Sequence, residues 1–180
     1  MAPQPGSVRT LPSGLTVYSV FPYHSAGGVR LRWLKFAGQR GLAVDFGCAM
    51  GELLPAYILA EQPLFACVPS GADRLKERGY NQSAGLAKYA AMRTDCSFCP
   101  DLLKKVKKNK TQHEISAEER ILNVQGVYAR NPDIDIKSRH IVLVDDIVTT
   151  GATLEACAAV LAEGEVSQIT ALTALATGRK

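Results

Sequence analysis

The sequence predicts an α/β domain with a largely parallel sheet flanked by helices. Three observations carry this. Strand-like and helix-like segments alternate through most of the chain, the pattern that builds parallel sheets on right-handed crossovers. Residues 64–68 (Leu-Phe-Ala-Cys-Val) and 141–144 (Ile-Val-Leu-Val) are apolar without interruption, as strands covered on both faces are. Each run ends in a turn rich in small or hydroxyl residues, and a helix follows.

The elements follow in order. Residues 16–21 are β-branched and aromatic and predict a strand. Ser25 is placed to cap a helix holding Val29, Leu31, Trp33, Leu34 and Phe36, broken by Gly38 and Gly41. From Leu42 to Tyr57 apolar residues recur at helical spacing, with Pro55 at a kink or boundary. Strand 64–68 and the turn Pro69-Ser70-Gly71-Ala72 lead to a helix over 81–92. Residues 101–106 read as a strand, 107–114 as a basic loop, 117–124 as a helix and 126–129 as a short strand. Strand 141–144 precedes a helix over 152–162, with Leu154, Cys157, Ala158 and Leu161 on one face and Gly164 at its end. Residues 166–175 read as the last strand. Residues 1–15 read as a loose N-terminus and 16–180 as one domain.

Bulk properties exclude several classes. The net charge of +4 is mild and fits anionic small molecules without arguing for nucleic acid. No apolar run approaches the length of a membrane span, and the first fourteen residues hold no signal-peptide core, so a cytoplasmic location is expected. Five scattered cysteines (48, 67, 96, 99 and 157) are not a disulfide framework. Cys96 and Cys99 form a single C-x-x-C with no second ligand pair, so they are read as ordinary reduced thiols.

The chemistry concentrates in residues 141–153. A buried strand ends in Asp145 and Asp146, then passes through Thr149, Thr150, Gly151, Ala152 and Thr153 into a helix. A helix N-terminus offers N–H groups and a positive dipole end to an anion. The acids cannot hold that anion, which leaves them to bind sugar hydroxyls or a metal. They could instead be ordinary helix-start acids, but they precede the helix by six or seven residues. Open α/β sheets bind ligands beyond the carboxyl ends of their strands. If strands 64–68 and 141–144 are parallel and adjacent, the turn 69–72 and the run 145–153 line one crevice.

Residues 142–153 resemble the phosphoribosyl-pyrophosphate (PRPP) signature of type I phosphoribosyltransferases. Further along lie Arg78-Gly79-Tyr80-Asn81-Gln82, Thr111-Gln112, Arg120, Asn123 and Gly126, with Leu34-Lys35-Phe36 and Gly38 nearer the start. In this order they are similar to the ComF family of competence-associated, phosphoribosyltransferase-like proteins, from about Tyr23 to the C-terminus. This chain begins without the four-cysteine zinc ribbon that opens many members, so no zinc is carried over.

The resemblance implies roles. Asp145 and Asp146 contact the ribose hydroxyls; Thr149, Thr150, Gly151, Ala152 and Thr153 surround the 5′-phosphate. Pro69, Ser70, Gly71 and Ala72 hold the pyrophosphate, small residues letting backbone approach the anion. Lys108, Lys110, Thr111 and Gln112 correspond to a flexible loop that closes over PRPP. Arg78 and Lys110 neutralise the leaving pyrophosphate. Asn81 faces the ligand or simply caps the next helix. A candidate hood over residues 16–40, with Tyr23, Trp33 and Phe36, recognises an acceptor or forms a small core, and Tyr80 is placed to assist.

The implied activity is transfer of phosphoribosyl from PRPP, with Mg²⁺, to a nitrogen acceptor with release of pyrophosphate. The alternative is a non-catalytic PRPP- or nucleotide-binding module, or a DNA-binding one, linked to DNA uptake. The lysines at 104, 105, 107, 108 and 110 motivate it, although no aromatic residue is interleaved for stacking. They also suit a solvated edge strand. Expected partners are PRPP, the acceptor, weakly bound single-stranded DNA and a second copy in a homodimer; no membrane is expected.

Overall fold

A six-stranded sheet forms the centre of the protein, seen in a computed structural model that describes residues 6–26, 41–72, 75–76, 79–107 and 126–177. Its strands are β1 (Ser7–Thr10), β2 (Thr16–Pro22), β3 (Leu64–Cys67), β4 (Ser97–Cys99), β7 (His140–Val148) and β8 (Gln168–Ala176). They lie in the order β1-β2-β8-β7-β3-β4, and every neighbouring pair is parallel except β1 with β2. Two short strands, β5 (Leu103–Lys105) and β6 (Tyr128–Arg130), pair antiparallel as a separate ribbon.

Alternation along the strands explains the layering. On β7, Val142 and Val144 pack with Phe65 and Cys67 of β3 and with helices α1 (Gly41–Leu53) and α3 (Gln82–Arg93). Ile141 and Leu143 point the other way, joining Leu64 and Ala66, helix α4 (Ala152–Ala162) and residues of the ribbon. Both faces are covered, which is why these strands read as unbroken apolar runs. Helices α1 and α3 approach closely at Gly47, where a β-carbon would come within 2.5 Å of Tyr89 Cβ. Pro55 precedes the short helix α2 (Ala56–Ala60), as its missing N–H favours. At the sheet's other end, buried His140 presents its ring nitrogens to Glu61 Oε2 (2.8 Å) and Thr170 Oγ1 (2.9 Å).

The sheet reverses direction at one point. From β3 the chain moves through α3 to β4 on one side. It returns as β7 beside β3 and continues through α4 to β8 on the other side. The crevice beyond the carboxyl ends of β3 and β7 is therefore the switch point of the sheet.

Several expectations need correction. The supposedly loose first fifteen residues contain β1, which pairs with β2 from Ser7–Ser19 to Thr10–Thr16. Residues 16–22 form the strand expected over 16–21, and it joins the main sheet, paired with β8. Strand β7 runs to Val148, past the expected end at 144, so both acids lie within it. Strand β4 was not expected; only three residues long, it gives too little pattern to read. The strand expected over 101–106 narrows to Leu103–Lys105, and that over 126–129 shifts to Tyr128–Arg130. The helices expected over 29–36 and 117–124 lie outside the described residues.

Candidate active site

The two suspect turns leave neighbouring parallel strands. Cys67 of β3 pairs with Val144 of β7, and the Val68 amide donates to the Val144 carbonyl at 2.9 Å. The 69–72 turn and the 145–153 run therefore start side by side.

Asp145 and Asp146 stand where the regular alternation of β7 breaks. Val144 and Ile147, three residues apart, pack toward the same cluster. Asp145 pairs with Thr173 and Ile147 with Leu175 across the same stretch. Both acids are half-buried. One oxygen of Asp145, Oδ1, accepts from Ser83 Oγ and from the Asp146 amide, each at 2.8 Å.

The loop after β7 is shaped by one glycine. Gly151 sits in the left-handed region (φ 92°, ψ −8°) at the N-cap of α4. Its carbonyl accepts from the Glu155 amide at 2.9 Å, and Thr150 Oγ1 accepts from the Ala152 amide at 3.3 Å. Thr149 and Thr150 are exposed. Arg9 of β1 reaches across to donate from Nη2 to the Thr149 carbonyl at 2.8 Å. The Ser13 amide donates to Glu155 Oε1 at 3.0 Å. The β1–β2 hairpin thus braces the loop.

The 69–72 turn is tied to the start of α3. Ser70 Oγ donates to Asn81 Oδ1 (2.9 Å), and Asn81 Nδ2 donates to the Val68 carbonyl (3.1 Å). Asn81 Oδ1 also accepts from the Ser83 amide (3.1 Å), so Asn81 caps the helix as well. A β-carbon on Gly71 would find Lys105 Nζ at 3.5 Å, which places a cation against the turn.

Two thiols register these charges. Burial pushes the Cys67 thiol up to about 12, helped by the negative charges of Asp145 and Asp101 and by Cys99. Cys157 of α4 is likewise pushed well above the usual thiol range, first by burial and then by Asp145 and Cys67, while Lys105 acts the opposite way. Chemically, the crevice offers a helix N-terminus at one end, a small-residue turn with a lysine at the other, and two carboxylates between. That suits a ligand with anionic ends and a hydroxyl-bearing middle.

Of the residues singled out from sequence, 69–72, 145, 146 and 149–153 gather at this crevice. Arg78, Lys108, Lys110, Thr111 and Gln112 lie outside the described residues. Sequence reasoning missed Arg9, Ser83 and the placement of Lys105. Only Ser83 had a local signal, two positions after a candidate N-cap.

Residues 75–180 match the family model of the phosphoribosyl transferase domain, more than half of the chain, and the chain belongs to that family. DNA utilization protein YhgH of Salmonella typhi is 29% identical over 79% of this chain and 64% of that protein. Competence protein F of Haemophilus influenzae is 31% identical over 57% of this chain and 45% of its own. Competence protein ComFC of Streptococcus pneumoniae is 27% identical over 87% of this chain and 66% of its own. These relatives make it a ComF-type, type I phosphoribosyltransferase-like protein. The chain spans 64% of the first of these relatives and 40% of the second YhgH protein, from Salmonella typhimurium. Among solved structures, it is similar to a hypoxanthine phosphoribosyltransferase of Staphylococcus aureus (16% identity, TM-score 0.48, 74% of this chain and 64% of that one). It is also similar to TT1426 of Thermus thermophilus (18%, TM-score 0.40, 73% and 83%). Among the described residues no helix is long and apolar enough to cross a membrane.

Proposed function

We propose that the protein binds PRPP and transfers its phosphoribosyl group to a nitrogen acceptor, releasing pyrophosphate. The observation that carries this reading is the parallel pairing of β3 with β7, which brings the 69–72 turn and the 149–153 loop to one crevice with two carboxylates between them.

In this reading Thr149, Thr150, Gly151, Ala152 and Thr153 surround the 5′-phosphate at the start of α4. Asp145 and Asp146 hold the ribose hydroxyls and favour positive charge at C1′. Pro69, Ser70, Gly71 and Ala72 carry the pyrophosphate. Lys105, against Gly71, joins Arg78 and Lys110 as a cation for the departing charge, and Lys108, Thr111 and Gln112 belong to the closing loop. The acceptor nitrogen's lone pair forms the bond to C1′. The C1′–O bond breaks, its electron pair leaves with pyrophosphate, and the nitrogen loses a proton. Holding the reactants in place and matching developing charge supply the acceleration. Mg²⁺ would be held through the pyrophosphate and ribose hydroxyls of PRPP with no direct protein ligand and would neutralise pyrophosphate charge, while Asp145 and Asp146 hold the ribose.

Lys105 lies against the turn, which removes one member from the lysine run that motivates a DNA patch. The direct test is pyrophosphate release from PRPP across a panel of bases and amines. Release above that of an Asp145→Asn/Asp146→Asn variant with at least one acceptor is expected. Release by no acceptor above that control would overturn the transferase.

A further inference from the structure

We infer that Asn81 and Ser83, on the first turn of α3, are positioning residues that hold the two ends of the PRPP pocket in one register. The inference rests on the PRPP reading of the site and adds two residues to it.

The hydrogen bonds form a continuous path. Ser70 Oγ donates to Asn81 Oδ1, which also takes the Ser83 amide, and Asn81 Nδ2 holds the Val68 carbonyl. Two residues on, Ser83 Oγ donates to Asp145 Oδ1 at 2.8 Å. Ser83 is only 5% exposed, so water competes little for that bond. The turn assigned to pyrophosphate and the acid assigned to ribose are thus fixed to the same helical turn. A cap alone would explain the Asn81–Ser83 bond. It does not explain why Asn81 also grips Val68 and Ser70, or why Ser83 turns to Asp145.

The two arms act at different ends. Removing the Ser83 hydroxyl releases a donor from Asp145 Oδ1 and leaves the turn intact. Asn81→Ser keeps an N-cap oxygen but is too short to reach Val68 and Ser70, so it frees the turn and leaves Ser83 on Asp145.

Calorimetric titration of ribose 5-phosphate, pyrophosphate and PRPP, each with Mg²⁺, separates them. Ser83→Ala is expected to weaken ribose 5-phosphate and PRPP about tenfold, the scale of a hydrogen bond to a charged group, and to leave pyrophosphate unchanged. Ser83→Thr restores binding. Asn81→Ser weakens pyrophosphate and PRPP and spares ribose 5-phosphate. Thermal unfolding of each variant verifies that it is folded. Wild-type binding with Ser83→Ala unchanged, or equal losses for all three ligands, overturns the positioning role alone. Failure of the wild type to bind any of the three overturns the PRPP reading, and this inference with it.

Discussion

Gly151 and Leu11 meet so closely that no β-carbon fits between them: one on Gly151 would lie 2.6 Å from Leu11 Cδ1 and 2.7 Å from Cδ2. The contact joins the β1–β2 hairpin to the loop assigned to the 5′-phosphate. With the Arg9 bond to Thr149, it makes an edge hairpin part of the site's support.

Gly151→Ala is expected to disturb this loop in two ways. A φ of 92° strains any side-chain-bearing residue, and the new methyl group collides with Leu11. Together they should destabilise the fold by about 1–3 kcal/mol and abolish measurable binding of ribose 5-phosphate. Leu11→Ala removes a buried side chain and costs stability by itself; measured in that background, where the collision is relieved and the backbone strain is not, the cost of Gly151→Ala in denaturant midpoint should recover only in part. Full recovery would show that the backbone conformation is unimportant.

Lys105 lies 3.5 Å from the position of a β-carbon on Gly71. Lys105→Ala should weaken pyrophosphate binding about tenfold and flatten its dependence on salt, with ribose 5-phosphate unaffected. Lys105→Arg should retain most of the affinity. Titrations at two ionic strengths check this, and an equal loss for both ligands would count against a specific role at the turn.

The buried thiols predict an alkaline limit to stability. The Cys67 thiol, ordinarily near 9.0, is held at about 12 in the folded chain. Between those values the unfolded chain has released a proton that the folded chain keeps. Stability from this group is therefore complete below pH 9 and declines as pH rises toward 12. Cys157 acts in the same direction. Urea unfolding between pH 8 and pH 10.5 should show falling stability in the wild type and a shallower fall in Cys67→Ala. Equal slopes would remove Cys67 from the account.

What was legible in the sequence follows from where pattern is strong. Helix α4 appears over 152–162 as read, because its apolar spacing and start are local. Strands β3 and β7 are legible because burial on both faces removes polar residues from their inner stretches. The far end of β7 is not, because Asp145 and Asp146 break the apolar run and disguise Ile147 and Val148, which are still paired with β8. Strand β1 escapes because Ser7, Val8, Arg9 and Thr10 are mostly exposed on an edge and show no core face. Within the site, the acids and the glycine loop announce themselves by spacing. Arg9 and Lys105 do not, since each reaches the crevice only through tertiary packing across more than thirty positions in sequence.

The proposed PRPP site depends above all on Asp145 and Asp146. Calorimetric titration of PRPP with Mg²⁺ into the wild type and into Asp145→Asn/Asp146→Asn tests it most directly. Saturable one-to-one binding to the wild type is expected, with a loss of about a hundredfold or more in the double variant and folding retained. No binding to the wild type, or equal binding to both, would contradict the proposed site.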